Sequence, residues 1–456
     1  MSEELTYQDL VLPYYMNDSV AISVSAKKGD ERKKIELTTA ETMTIPVLAC
    51  LNELLVSDTG GGKSQFLWDV KQHFFNGNVS QGGRVNELVG RKDSSVDELF
   101  TEWDKDKQKY VVKEERIRAL VNIVDELNRA PAPVQNDYFD LAEGIRAIAG
   151  TLRELGEDGY CLFLAAVNLN RINGDFEGTN NIDRALLSRS KINTDLDYYD
   201  TTDKNKAKIN AQGKPELKKA PPRDISNKIL RAFKEIKEKA SKPDSNIDAY
   251  LMLFSAGLKT CQTDELKRKR RNWPQDCGTC SNKEKTLCSL VKAYEPRTAQ
   301  TIKRFACGID YFVKLKEGEG IELDPLDLVF EATKFTAYHG NLNMQELIST
   351  YKGDDQHMMN TVLAKIKESV QKIRPYLDAA ILEAEKGNVS AETKYISYTT
   401  DGTEKTVVYD EKLAKMLEDK KIKHKTIDDP FKELEQIGIG TRWIKQYLET
   451  VAENTK

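Results

Sequence analysis

The eight residues Ser57-Asp58-Thr59-Gly60-Gly61-Gly62-Lys63-Ser64 constrain this chain more than any other stretch. They follow the apolar run Leu51-Asn52-Glu53-Leu54-Leu55-Val56 and precede a segment of helical character, Gln65 to Phe74. Strand, glycine-rich turn and helix in that order predict a phosphate-binding loop in an α/β fold. Three glycines let the backbone approach a phosphate chain without side chains in the way, and a helix N-terminus aims N–H groups at it. The expected nucleotide-binding set is Thr59, Gly60, Gly61, Gly62, Lys63, Ser64 and Gln65, with Lys63 reaching the β/γ-phosphates and the Ser64 hydroxyl ligating Mg²⁺. Ser57 stands where the usual pattern has its first glycine, and a strained turn is expected there.

The chain is long enough, at 456 residues, for two or three domains of roughly 100–200 residues each. A formal net charge of −4 gives no overall attraction to nucleic acid or membrane. The acidic start Met1-Ser2-Glu3-Glu4 lacks the basic and apolar regions of an export signal, and no apolar run is long enough for a membrane span. Seven cysteines, including a Cys-x-x-Cys pair, then point to metal chemistry in the reducing cytoplasm more than to disulfides.

Short apolar runs alternate with helical patterns from about Ile45 to Tyr199, as in α/β units. Residues 1–200 are therefore read as a core, and the Lys-rich 201–223, ending in Ala220-Pro221-Pro222, as a linker or flexible insertion. Helical periodicity dominates residues 224–342, with a cysteine-rich insertion at 261–288. Residues 343–456 combine a long amphipathic helix, Met359 to Leu377, with a hairpin turning at Asp401-Gly402 and a last helix around Arg442 to Leu448. Pro375 is expected to kink the long helix.

A second chemical signal stands about sixty residues beyond the loop. The apolar run Val121-Asn122-Ile123-Val124 ends in Asp125-Glu126. An Asp so placed holds a water on Mg²⁺, and a Glu beside it orients and deprotonates an attacking water.

The stretch Asp125-Glu126-Leu127-Asn128-Arg129-Ala130-Pro131-Ala132-Pro133-Val134-Gln135 closely resembles the Walker B region of MoxR-family AAA+ ATPases. Phe163-Leu164-Ala165-Ala166-Val167-Asn168 resembles that family's sensor-1 strand, and Gly174 to Gly178 the polar insert after it. Ala185-Leu186-Leu187-Ser188-Arg189 is similar to its element carrying a trans-acting arginine, and Glu295-Pro296-Arg297-Thr298 to its sensor-2 motif at the start of a lid helix. The resemblance spans roughly Ile45 to Ile348. It implies a P-loop AAA+ core of parallel sheet and flanking helices, a helical lid and a C-terminal α+β module. It also implies that Asp125 supports the metal, Glu126 is the catalytic base, Asn168 positions the lytic water, and Arg297 contacts the nucleotide in cis. Arg189 would serve a neighbouring subunit, so a ring, a hexamer by preference, acting on a protein client is expected. Ser188 departs from the family's Asp, and Asp183-Arg184 offers a rival alignment for the arginine.

The cysteine cluster departs from the family pattern. Cys277-Gly278-Thr279-Cys280 has the bite of a metal thiolate pair, and Cys261 and Cys288 complete a set of four for Zn²⁺ or an iron–sulfur cluster. Ordinary thiols are the alternative. The basic run Lys267 to Arg271 beside Trp273 leaves open a nucleic-acid motor or processing factor. A nucleotide-binding scaffold with little hydrolysis is the third reading, and GTP in place of ATP stays open.

Overall fold

The structure is a computed structural model and describes residues 4–58, 60–91, 96–168, 180–211, 219–259, 286–388 and 394–454. The chain divides into two compact units. The first comprises residues 1–242, 300–340 and 352–356, and the second 243–299, 341–351 and 357–456. The helices Ser226–Ser241 and much of Pro296–Glu317, read in sequence as lid, thus fall in the unit that holds the glycine-rich loop.

The first unit is organised by a parallel five-stranded sheet: β1 (Glu53–Ser57), β2 (Val85–Val89), β3 (Val121–Asp125), β4 (Leu162–Asn168) and β5 (Ile192–Asp195). Their order across the sheet is β5-β1-β4-β3-β2. β1 is buried along its whole length, and β4 is buried up to Val167. Strands covered on both faces read as near-continuous apolar runs, which is why these stood out in the sequence. In a parallel sheet of this kind, ligands bind beyond the carboxyl ends of the strands. Here that edge carries Ser57, Asp125 and Asn168, with Asn168 in register with Ser57. The insertion of β4 between β1 and β3 brings all three together.

Three further pieces of β-structure went unforeseen. Val20–Lys28 pairs antiparallel with Glu31–Thr38 and with Ile321–Leu323. Two-stranded hairpins form from Thr101–Asp104 with Lys109–Val112, and from Ile145–Ile148 with Thr151–Glu154. The buried Arg146 guanidinium anchors the second hairpin through Asp97, Asp137 and Asp140.

The segment 201–223, expected as a linker, contains a helix, Asp203–Ala211. Its last residues are also ordered: Arg223 N–H donates to Gln72 O at 2.9 Å, and Asn76 N–H to Arg223 O at 2.9 Å.

In the second unit, the helix Asp355–Ala384 runs on through Pro375 and buries Met359, Val362, Ile366, Val370, Ile373 and Leu377, as their spacing predicts. The hairpin Lys394–Thr400 with Thr403–Val408 turns at Asp401 and Gly402, both with positive φ, and His424–Asp428 adds a third strand. Phe254 stacks on Tyr294, and Trp443 packs beside Gly257.

Candidate active site

The loop after β1 turns through Gly60 (φ 94°) and Gly62 (φ 76°), left-handed positions that suit glycine. Gly61 matters for a different reason: a Cβ there would lie 2.4 Å from Ser57 Oγ and displace that hydroxyl. Helix α1 (Lys63–Asp69) follows directly and continues into a π-helical turn, Val70–Phe74. Its first intrahelical bond runs from Phe66 N–H to Gly62 O, so the amides before it lie outside the helix's own ladder and face the loop.

Ser57 brings no strain, contrary to the sequence expectation. It sits in regular β1 with negative φ, so a glycine is not needed. Its hydroxyl instead becomes part of the site, donating to Asp58 O at 2.7 Å and accepting from Lys63 Nζ at 2.6 Å. Lys63 also donates to Ser57 O and Asp58 O, each at 2.9 Å, and is 8% exposed. Burial pushes its ammonium down to about 8, although Asp197, Asp125 and Asp58 pull the other way. A lysine folded onto its own loop in this manner is held ready for an anion that is better than three neutral acceptors.

Across the sheet edge, Ser64 Oγ donates to Asp125 Oδ2 at 3.2 Å. A hydroxyl and a carboxylate converging at that distance suit a hard divalent cation with oxygen ligands, so the residues fit Mg²⁺. Glu126 follows in a left-handed conformation (φ 54°), its N–H on Asp125 Oδ1 at 2.9 Å. Its carboxylate pairs with Arg129 at 3.1 Å. Asn168 is fixed by Asn128, whose side chain donates to Asn168 O at 2.7 Å and accepts from Asn168 N–H at 3.4 Å.

The architecture has a counterpart among solved structures. No family model and no curated protein matches the chain. A crystal structure of a candidate ATPase from Cytophaga hutchinsonii superposes with a TM-score of 0.50 at 17% identity, over 71% of this chain and 88% of that one. The two proteins share a fold, here a parallel five-stranded sheet with flanking helices around the glycine-rich loop. A full-length MCM homologue from Methanopyrus kandleri aligns less well, at TM-score 0.39 and 13% identity, over 67% of this chain and 56% of that one.

Within this fold, Lys63, Ser64, Asp125, Glu126 and Asn168 meet at one sheet edge. Gln65 is turned inward, donating to Asp69 Oδ1 at 2.8 Å, so only its backbone faces the loop. The other Asp69 oxygen takes the N–H groups of Tyr14 and Tyr15, which fastens the N-terminal segment beside Gly62. Arg189 is elsewhere. It ends α3 (Arg184–Arg189), its Nε on Glu143 Oε1 at 2.6 Å at the end of α2 (Ala132–Glu143). The strand it feeds, β5, starts opposite Glu53, so Arg189 lies at the foot of the sheet, a β1 length of about 13 Å from the loop. Asp183 caps α3 through Ala185 N–H, which makes Arg184 the helix's first residue. Arg297 belongs to the second unit.

Thr59, the insert at Gly174 to Gly178, the run Lys267 to Arg271 with Trp273, and Cys261, Cys277 and Cys280 lie outside the described residues. Cys288 is described, with its thiol donating to Thr286 Oγ1 at 3.3 Å. Among the described residues, no group of three or more His, Cys, Asp or Glu could hold a metal ion. Nor is any described helix long and apolar enough to cross a membrane.

Sequence reasoning missed Ser57 as an acceptor for Lys63, Asp197, which accepts from Asp58 N–H at 2.8 Å, and Asn128 as the clamp on Asn168. Asn128 had a signal, its place in the Asp-Glu-Leu-Asn-Arg run. Asp197 had none.

Proposed function

We propose that this chain is a MoxR-type AAA+ ATPase that hydrolyses ATP with Mg²⁺ in a ring, a hexamer by preference, and uses the energy to remodel or help assemble a partner protein. The observation that carries the proposal is the convergence of Ser64, Asp125, Glu126 and Asn168 on the edge where the glycine-rich loop opens.

In this reading the backbone of residues 59–65 and the Lys63 ammonium bind the phosphates. Lys63 exchanges three neutral acceptors for phosphate oxygens, and Ser57 keeps the loop closed around it. Ser64 and Asp125 hold Mg²⁺, which when bound neutralises charge on the phosphate oxygens. Glu126 takes a proton from the attacking water, and Asn168 orients that water from the adjacent strand. Arg189 leaves Glu143 and reaches the neighbouring subunit's site, a role worth roughly 10³–10⁵ in rate in systems where it has been dissected. Its place at the foot of the sheet, remote from its own loop, supports action in trans.

The test is Glu126→Gln. Turnover should fall at least about 10²-fold while ATP is still bound and an assembled ring is retained. Unchanged turnover would remove Glu126 as the base.

A further inference from the structure

The Asp125–Glu126 turn is shaped by two residues that carry no role in the site described so far. Gly90 follows β2, and its N–H donates to Asp125 O at 2.8 Å. A Cβ at Gly90 would lie 2.3 Å from Glu126 O, 2.9 Å from its carbonyl carbon and 3.1 Å from Leu127 Cα. All three are backbone atoms, so no side chain can swing aside to make room. The same Glu126 carbonyl accepts the Arg129 N–H at 2.9 Å, and the Arg129 guanidinium pairs with the Glu126 carboxylate at 3.1 Å. Glu126 itself holds a left-handed φ of 54°, which residues with a Cβ seldom adopt. Backbone and side chain of this one residue are therefore each held by a separate neighbour, the first packed against a missing methyl and the second paired with a cation.

We propose that Gly90 and Arg129 are positioning residues for Glu126: Gly90 sets its backbone, and Arg129 sets its carboxylate. The inference rests on Glu126 being the catalytic base. Adding a methyl at Gly90 forces the Glu126 carbonyl away from Arg129 N–H and tilts the carboxylate from the line of attack. The phosphate-binding loop, on a different strand, is left alone. The expected signature is therefore a loss in kcat without a loss in nucleotide binding.

The experiment compares Gly90→Ala, Arg129→Gln and Arg129→Lys with wild type, measuring kcat, the KM for ATP and the affinity for a fluorescent ADP. Gly90→Ala should lower kcat about 10²-fold, the scale of a misplacement of roughly 1 Å, with KM and ADP affinity within about threefold of wild type. Arg129→Gln should lower kcat about fivefold, in keeping with a half-exposed ion pair, and Arg129→Lys should restore most of it. In a Glu126→Gln background, Gly90→Ala should cost nothing further, since both changes act on one group. Full kcat in Gly90→Ala, or an equal loss in the Glu126→Gln background, overturns the assignment. Should Gly90→Ala fail to fold, the Arg129 pair decides: unchanged kcat in Arg129→Gln overturns it, and a loss rescued by lysine supports it. Failure of the underlying reading looks different. There, wild-type protein hydrolyses ATP, and Glu126→Gln hydrolyses it equally well.

Discussion

Glu53 opens the strand that leads to the glycine-rich loop, and it is fully buried. One of its oxygens accepts the Thr194 hydroxyl at 2.7 Å, and the other has no hydrogen-bond partner. Burial pushes its carboxyl up to about 8, against an ordinary value of 4.5. The folded protein therefore keeps a proton that the unfolded chain releases between those two values. Stability from this group is complete below about pH 4.5, declines as the unfolded state ionises, and is lost by the time the pH passes 8. The slope within that window is up to about 1.4 kcal/mol per pH unit, or about 5 kcal/mol across the whole of it. Glu53→Gln keeps an acceptor for Thr194 and removes the proton. Urea unfolding of both proteins at pH 5.5, 7 and 8.5, followed by a probe in the first unit, should show the variant gaining on wild type by a few kcal/mol as pH rises. A fixed offset between the two proteins at all three pH values would refute the reasoning.

Three further outcomes are expected. Lys63→Ala should abolish nucleotide binding, and tight binding by that variant would remove the loop from the site. Because burial holds the Lys63 ammonium at about 8 in the ligand-free protein and phosphate favours its charged form, ADP binding near pH 8.5 should take up a proton. Calorimetry in two buffers of different ionisation enthalpy reads that uptake, and identical heats would exclude it. Gly90→Ala and Glu126→Gln should both lose turnover and keep nucleotide, so an equilibrium binding assay should rank them with wild type and apart from Lys63→Ala.

The loop, the Asp-Glu pair and the polar end of β4 were legible because each is a local signal at the end of a strand buried on both faces. The side-by-side placement of β1 and β4 was not, since strand order is a tertiary property. The hairpins at 101–112 and 145–154 were hidden by composition: Thr-Glu-Trp-Asp and Ile-Arg-Ala-Ile are only four residues long and carry charge. The segment 201–223 was read as a linker from its lysines and prolines, but its end is held by backbone bonds to Gln72 and Asn76 that no pattern announces. Ser57 shows the limit of motif reading most clearly. Set against a pattern it is a defect, whereas in the fold it is a regular strand residue whose hydroxyl helps hold the lysine.

The central claim is a site shared between subunits, and complementation tests it most directly. Glu126→Gln and Arg189→Ala subunits should each be inactive alone, the first lacking the base and the second the arginine offered to its neighbour. Mixed one to one, with ring formation checked by mass, they should recover up to about a quarter of wild-type turnover, because that share of head-to-tail interfaces pairs an intact site with an intact arginine. Mixed rings that stay inactive at every ratio, or an Arg189→Ala protein that is fully active alone, would contradict it.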